Sequence, residues 1–318
     1  MFGGRRTWRG AHALVTGGAG GTSDPVPIVS DHPLTGRIIA ELKQARSKLE
    51  RAVLPGSRLL PAIRALRRME QRLDRPLRLA ICGEVNAGKS SLANLLGRIE
   101  SLPTAAISNT RIPTLLYYAH EPEIWAVPHP PGRRVRLRAD RKTLRQSVFR
   151  LEVGLPSPGL RAAQILDLPG LADARHVDLA LHAVDAALWC TVSTQAWKES
   201  ERLAWSQLPA RLRAWGLLVA THADLLANAR DREKLLTRLH SECDQMFRDI
   251  IMVSTLDALA LVRKDELVPV VAAWQASGAH ELDVALSVLL LSVRDRRAQS
   301  ALGVTGRIVH RALSYIEK

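Results

Sequence analysis

The stretch "GEVNAGKSSL", Gly83 to Leu92, decides how the chain is read. It holds Gly-x4-Gly-Lys-Ser, with the apolar run "LRLAIC" before it and "ANLLG" after it. The first flank reads as a buried strand and the second as a helix. A glycine-rich loop between such elements aims successive backbone N–H groups at one point, at the positive end of a helix. Gly83 and Gly88 let the backbone close around phosphate oxygens, with Asn86 and Ala87 inside the wrap. Lys89 is expected to reach the β- and γ-phosphates of a nucleotide. The Ser90 hydroxyl is expected to take Mg2+, and Ser91 joins the same nucleotide-binding set.

Outward from the loop, apolar runs recur at 113–119, 162–170, 186–194, 215–224 and 249–255, with helical stretches between most of them. Strands alternating with helices predict an α/β fold, a mostly parallel sheet with helices on both faces. Ahead of the loop, Ile38, Ile39, Leu42, Ala45, Leu49, Ala52 and Val53 fall at helical spacing. "PG" at 55–56 interrupts, and Leu59, Leu60, Ile63, Leu66, Met69 and Leu73 form a second stripe that Pro76 ends. The final stretch carries Leu282, Leu286, Leu289, Val293, Ala301, Ile308, Ala312 and Ile316 on one face. The expected organisation is a disordered tail over 1–33 and a helical hairpin over 34–76. The loop-bearing domain covers 77–279, and a C-terminal helix over 280–318 packs on the hairpin as a small bundle.

Four further segments fit the same chemistry. Asp167, in "DLPG" at the end of an apolar run, is expected to hold the Mg2+ shell. The Gly170 N–H is placed to touch the γ-phosphate, so that the next segment responds when that phosphate leaves. Thr110, in "NTRIPT", can bind Mg2+ through its hydroxyl and the γ-phosphate through its backbone; Thr104 is the nearest rival. "THAD", Thr221 to Asp224, ends another apolar run. Its carboxylate can accept both N1–H and the exocyclic amine of guanine, which adenine cannot offer. In "VST", a backbone N–H near Ser254 is placed to meet guanine O6.

The set "GEVNAGKSSLANLLG", "LPTAAISNTRIPTLL", "PSPGLRAAQILDLPGLAD" and "THAD" resembles the dynamin-family GTPase domain in its bacterial form, over roughly residues 77 to 260. The resemblance implies a P-loop GTPase domain that binds GTP with Mg2+ and hydrolyses it to GDP and phosphate. It assigns Lys89 and Ser90 to phosphate and Mg2+, Thr110 to the first switch, Asp167 and Gly170 to the second, and Asp224 to the base. The family usually has Lys where His222 stands. A full dynamin also has a long helical stalk and a lipid-binding tip. Here only the hairpin and one C-terminal helix are legible, so membrane remodelling by this chain alone is not expected.

Two positions bear on turnover. Small regulatory GTPases place a water-orienting glutamine where Leu171 stands, and dynamins place a polar helper where Val85 stands. Slow hydrolysis by a monomer is therefore expected, with a nucleotide-dependent homodimer or a partner completing the site. GTPases with similar "NxGKS" loops use the asparagine to hold K+, which implies that role for Asn86; the alternative is that Asn86 only shapes the loop. Lys89, Thr110 and Asn86 form the candidate catalytic set.

The formal net charge is +14 over 318 residues. The stretch from Arg133 to Arg150 carries eight Arg or Lys against one Asp and is expected to be an exposed insertion between the second and third strands. Such a cluster suits an anionic membrane or an acidic companion protein. Nucleic acid would suit it too, as in a ribosome-associated GTPase, but three Phe and three Tyr supply few stacking surfaces and no RNA-binding module follows. A third reading is a GTP-loaded scaffold that barely turns over. No uncharged apolar run is long enough to span a bilayer, and the start lacks the apolar core of a signal peptide. Cys82, Cys190 and Cys243 lack metal spacing and read as reduced core residues. A cytoplasmic protein with peripheral membrane contact is expected.

Overall fold

The computed structural model describes residues 33–51, 59–100, 112–129, 132–137, 148–170, 180–243, 245–262 and 270–316. Thr104, Thr110 and Leu171 lie outside them, as do the first 32 residues. The chain divides into two compact units. One includes Arg78–Val288; the other joins Pro27–Leu77 with Leu289–Lys318.

The helical unit is built on α1 (Pro33–Arg51) and α2 (Leu60–Asp74). Ile38, Leu42 and Leu49 of α1 bury against Ile63, Leu66 and Leu73 of α2, with Ala298 and Ala301 in the same core. The spacing of three, four and seven puts these side chains on one face of each helix. Arg46 joins Glu50 and Glu70, each at 2.8 Å, tying the two helices together. Arg297 is buried and donates to the carbonyls of Arg72 (3.3 Å) and Arg75 (3.0 Å), satisfying groups that the end of α2 leaves unpaired.

Among the described residues the other unit is a nine-stranded, mainly parallel sheet flanked by helices. Its strands are β1 (Leu77–Gly83), β2 (Thr114–Tyr118), β3 (Glu123–Pro128), β4 (Val135–Leu137), β5 (Val148–Leu155), β6 (Ala163–Asp167), β7 (Ala186–Val192), β8 (Gly216–Thr221) and β9 (Asp249–Met252). The order is β4-β3-β5-β2-β6-β1-β7-β8-β9. The β1, β7, β8 and β9 block is parallel throughout. Such strands are covered on both faces, and β7 and β8 are accordingly apolar and almost wholly buried. β2 runs antiparallel to β6 but parallel to β5, and β3 pairs antiparallel with both β4 and β5.

That antiparallel end corrects one expectation. The basic stretch 133–150 was expected to be an exposed insertion between strands. Its described residues include β4 and the start of β5, so part of it lies inside the sheet. Glu152 pairs with Arg150 two residues away on its own strand β5, at 2.5 Å, and with Arg134, just before β4, at 3.2 Å. Arg134 also lies 4.3 Å from the Trp125 ring centre.

The helices are α3 (Lys89–Gly97), α4 (Glu199–Gln207), α5 (Ala210–Arg213), α6 (Ala229–Glu242), α7 (Thr255–Val262), α8 (Val270–Ala276) and α9 (Ala279–Ile316). The 38-residue α9 begins in the sheet unit and ends in the helical one. Under α4, Trp189 meets Trp197 and Trp205 edge-on, and Trp205 stacks on Phe247 at 4.4 Å. These rings anchor α4 beside the glycine-rich loop. Cys82, Cys190 and Cys243 are buried and free. Among the described residues no helix is long and apolar enough to cross a membrane.

Candidate functional site

The loop between β1 and α3 carries the site. Gly83 has φ +143°, and a Cβ there would run into the Cys190 carbonyl on neighbouring β7. Gly88 caps α3 with φ +74°. A Cβ on it would sit 3.1 Å from His222 Cε1 and 3.2 Å from Thr221 Oγ1. Both positions need glycine, for backbone conformation and for close approach. Asn86, at φ +63°, is one of the residue types that tolerate the left-handed region.

Lys89 is buried, and its Nζ donates to the Glu84 carbonyl at 2.5 Å. Burial holds its ammonium below the ordinary lysine range, against opposing pulls from nearby acidic groups. Ser90 Oγ donates to Asp167 Oδ2 at 2.7 Å. Among the described residues Asp167 Oδ1 is buried without a partner, and burial pushes the carboxyl up to about 6. A buried carboxylate oxygen left unpaired is costly unless a cation or proton meets it. The pair is a set of hard oxygen donors beside the loop, and this fits Mg2+.

Gly170, the glycine expected in the second switch, is close as well. A Cβ on Gly170 would lie 2.6 Å from Val85 Cγ2, so the "DLPG" turn rests on the loop itself. Val85 is 68% exposed. On the other side, Thr221 Oγ1 lies 3.0 Å from the Ala87 carbonyl and 2.9 Å from His222 Nδ1. His222 takes φ +57° as it leaves β8. Asp224 follows two residues later, and Ser254 Oγ donates to its Oδ1 at 3.0 Å. The Ser254 N–H donates to the Ser277 carbonyl at 2.8 Å, so that group is engaged within the protein.

Gly83, Asn86, Ala87, Gly88, Lys89, Ser90, Asp167, Gly170 and Thr221 therefore gather at one loop. Asp224 and Ser254 form a second group, which His222 and Thr221 link to the first. Thr110 lies outside the described residues. One neighbour was not foreseen: the segment from Ser193 to Glu201. Ser200 Oγ donates to Glu84 Oε1 at 2.6 Å, and Lys198 Nζ lies 3.3 Å from Glu84 Oε2. Its only trace in the sequence is Glu201 at the third position of α4, where a carboxylate turns back to the cap N–H.

No family model matches the chain. It is 28% identical over 200 residues to Dynamin-like protein 2 of Campylobacter jejuni, a match covering 58% of this chain and 32% of that protein. It is 37% identical over 114 residues to the isoniazid-induced protein IniC of Mycobacterium tuberculosis, covering 33% of this chain and 23% of that one. The match thus spans about a third or less of each of these relatives. A solved structure described as an oligomerised bacterial dynamin pair, with a mechanism for long-range sensing and tethering of membranes, superposes with TM-score 0.59 at 19% identity. It covers 89% of this chain and 55% of that one. In fold this chain resembles the solved bacterial dynamin pair, and over 200 residues its sequence is similar to that of the Campylobacter dynamin-like protein.

Proposed function

We propose that the chain binds GTP with Mg2+ at the Gly83–Ser91 loop and hydrolyses it to GDP and phosphate, slowly as a monomer and faster when self-associated. The observation that carries this is the Ser90–Asp167 pair, with its unpartnered Asp167 Oδ1, beside a loop that already has its two special glycine conformations. Backbone N–H groups at the start of α3 receive the phosphates. Lys89 leaves the Glu84 carbonyl and turns to the β- and γ-oxygens. Ser90 and Asp167 would hold the Mg2+, with Thr110 added from the first switch. Bound there, the ion neutralises charge on the phosphates. Asp224 takes the guanine edge, while Ser254 keeps its carboxylate in place.

Nothing polar stands at Val85 to orient water, and Leu171 is apolar too. That supports self-association through the nucleotide face, where a second copy orders the switches and excludes water. Asn86 would hold K+ there, supplying positive charge where a finger arginine otherwise would. One experiment tests both. GTP turnover is measured over a hundredfold range of protein concentration, in K+ and in Na+. Activity per molecule is expected to rise with concentration and to be faster in K+. A flat, cation-independent rate overturns both refinements. GTP left intact for hours at high concentration would leave a scaffold that holds nucleotide without turnover, a reading that exposed Val85 also supports.

The pH dependence has a definite sign. Below about 6 the Asp167 carboxyl is protonated, and it must lose that proton to meet the metal. Affinity for Mg2+-GTP is therefore expected to fall by about tenfold per pH unit below 6 and to level off above about 7. Calorimetry from pH 5 to 8 reads this; Asp167→Asn should flatten the slope.

We assign the basic edge of the sheet to an anionic membrane surface. Arg133, Arg134 and Arg136 are exposed on or beside β4, which ends the sheet. The relatives named as dynamins lend the reading its context. Neutralising the three arginines is expected to lower binding to vesicles rich in anionic lipid by roughly a hundredfold, at about 1 kcal/mol per residue. Unchanged co-sedimentation would show that these arginines only protect an open sheet edge.

A further inference from the structure

Glu84 and Lys89 are the two charged side chains of the loop "GEVNAGKS". A carboxylate on a loop built to wrap phosphates opposes its ligand, so where it points matters. It points to the N-terminus of α4, bonded to Ser200 Oγ at 2.6 Å and paired with Lys198 Nζ at 3.3 Å. The Ser200 hydrogen bond, with Lys198 behind it, holds the Glu84 carboxyl below the usual carboxylate range.

That N-terminus is itself held from within. Glu201 is 2% exposed and accepts from the Lys198 N–H (3.0 Å), Thr191 Oγ1 (2.8 Å) and Trp189 Nε1 (3.3 Å). Trp197, just before it, sits at φ +60°, a conformation that a bulky residue keeps only where its surroundings enforce it. Its N–H donates to Thr191 Oγ1 at 3.0 Å. The strained turn and the buried carboxylate together aim Lys198 and Ser200 at one loop residue. Beside them is a cavity of about 320 Å³, bordered by Glu84, Asn86, Gln195, Lys198 and His222. A released Glu84 side chain has room to swing in it.

We propose that the start of α4 is a clamp that holds the negative charge of Glu84 away from bound phosphates. Lys198 and Ser200 are then positioning residues for anion binding, and Glu201 holds the clamp in place. This rests on the reading that the loop takes nucleotide phosphates. Like charges a few ångströms apart at a protein surface repel by kcal/mol amounts, so a freed carboxylate weakens anion binding measurably.

The test is a rescue. Affinities for Mg2+-GTP and for Mg2+-pyrophosphate are measured on the unmodified protein, Lys198→Met/Ser200→Ala, Glu84→Gln, and the triple variant. Lys198 and Ser200 are exposed, so the replacements leave the core intact. The double variant is expected to bind both ligands about tenfold more weakly, a change of about 1.4 kcal/mol. Glu84→Gln alone should bind at least as well as the unmodified protein. The triple variant should return to within twofold of it, because no charge remains to be held off. A double variant that binds normally, or a loss that Glu84→Gln does not rescue, overturns the clamp. Pyrophosphate binding without GTP binding overturns the nucleotide reading and still tests the clamp; binding of neither overturns both.

Discussion

Lys89→Ala is expected to lower GTP affinity at saturating Mg2+ by a hundredfold or more. The side chain is buried at the base of the loop, where its ammonium donates to the Glu84 carbonyl. Burial already holds its charge at a disadvantage, so an arriving polyphosphate meets a poorly solvated cation. A hydrogen bond to a charged group is worth about 1.5–3 kcal/mol. Two such bonds, to the β- and γ-oxygens, convert to roughly two to four orders of magnitude in affinity. Titration calorimetry with a non-hydrolysable GTP analogue reads the loss, and circular dichroism checks that the variant is folded. Binding within threefold of the unmodified protein would place the nucleotide elsewhere.

The second large effect is on base selection. Asp224→Asn is expected to lower the preference for GTP over ATP by about a hundredfold or more, because a site built to hydrogen-bond one partner rejects a ligand that leaves it unpaired. In the proposed site the carboxylate would accept from both guanine N1–H and the exocyclic amine; asparagine would put its own amide N–H2 against one of them. Ser254 remains able to bond the asparagine oxygen, so the loop itself should survive the change. Competition between GTP and ATP for one fluorescent analogue gives the ratio. Equal binding of the two by the unmodified protein would overturn the base assignment, with His222 in place of the usual lysine as the first suspect.

The elements legible in the sequence are those whose cause is local. β7 and β8 are buried on both faces, so their apolar runs announce them without knowledge of their neighbours. The glycine-rich loop is equally self-contained, because its conformation follows from glycines at 83 and 88 and from the strand and helix on either side. β3, β4 and β5 gave no such signal. "EIWAVP", "VRL" and "VFRLEVGL" mix charge with apolar residues. Glu152 is tolerable inside a sheet because it meets Arg150 on its own strand and Arg134 from beside β4. Only the tertiary fold supplies the Arg134 contact.

The candidate site divides along the same line. The sequence by itself determined the residue types and their spacing: a loop for phosphate, an acid after one strand and another after a later one. The tertiary structure decided which of these meet. It brought Ser90 to Asp167 across 77 positions and rested Gly170 on Val85. It committed the Ser254 N–H to Ser277. It also turned Glu84 toward Lys198 and Ser200, 114 and 116 residues away. No periodicity encodes such contacts. They depend on the parallel register of β1 with β7, which sets the start of α4 beside the loop, and register is a property of two strands together rather than of either one.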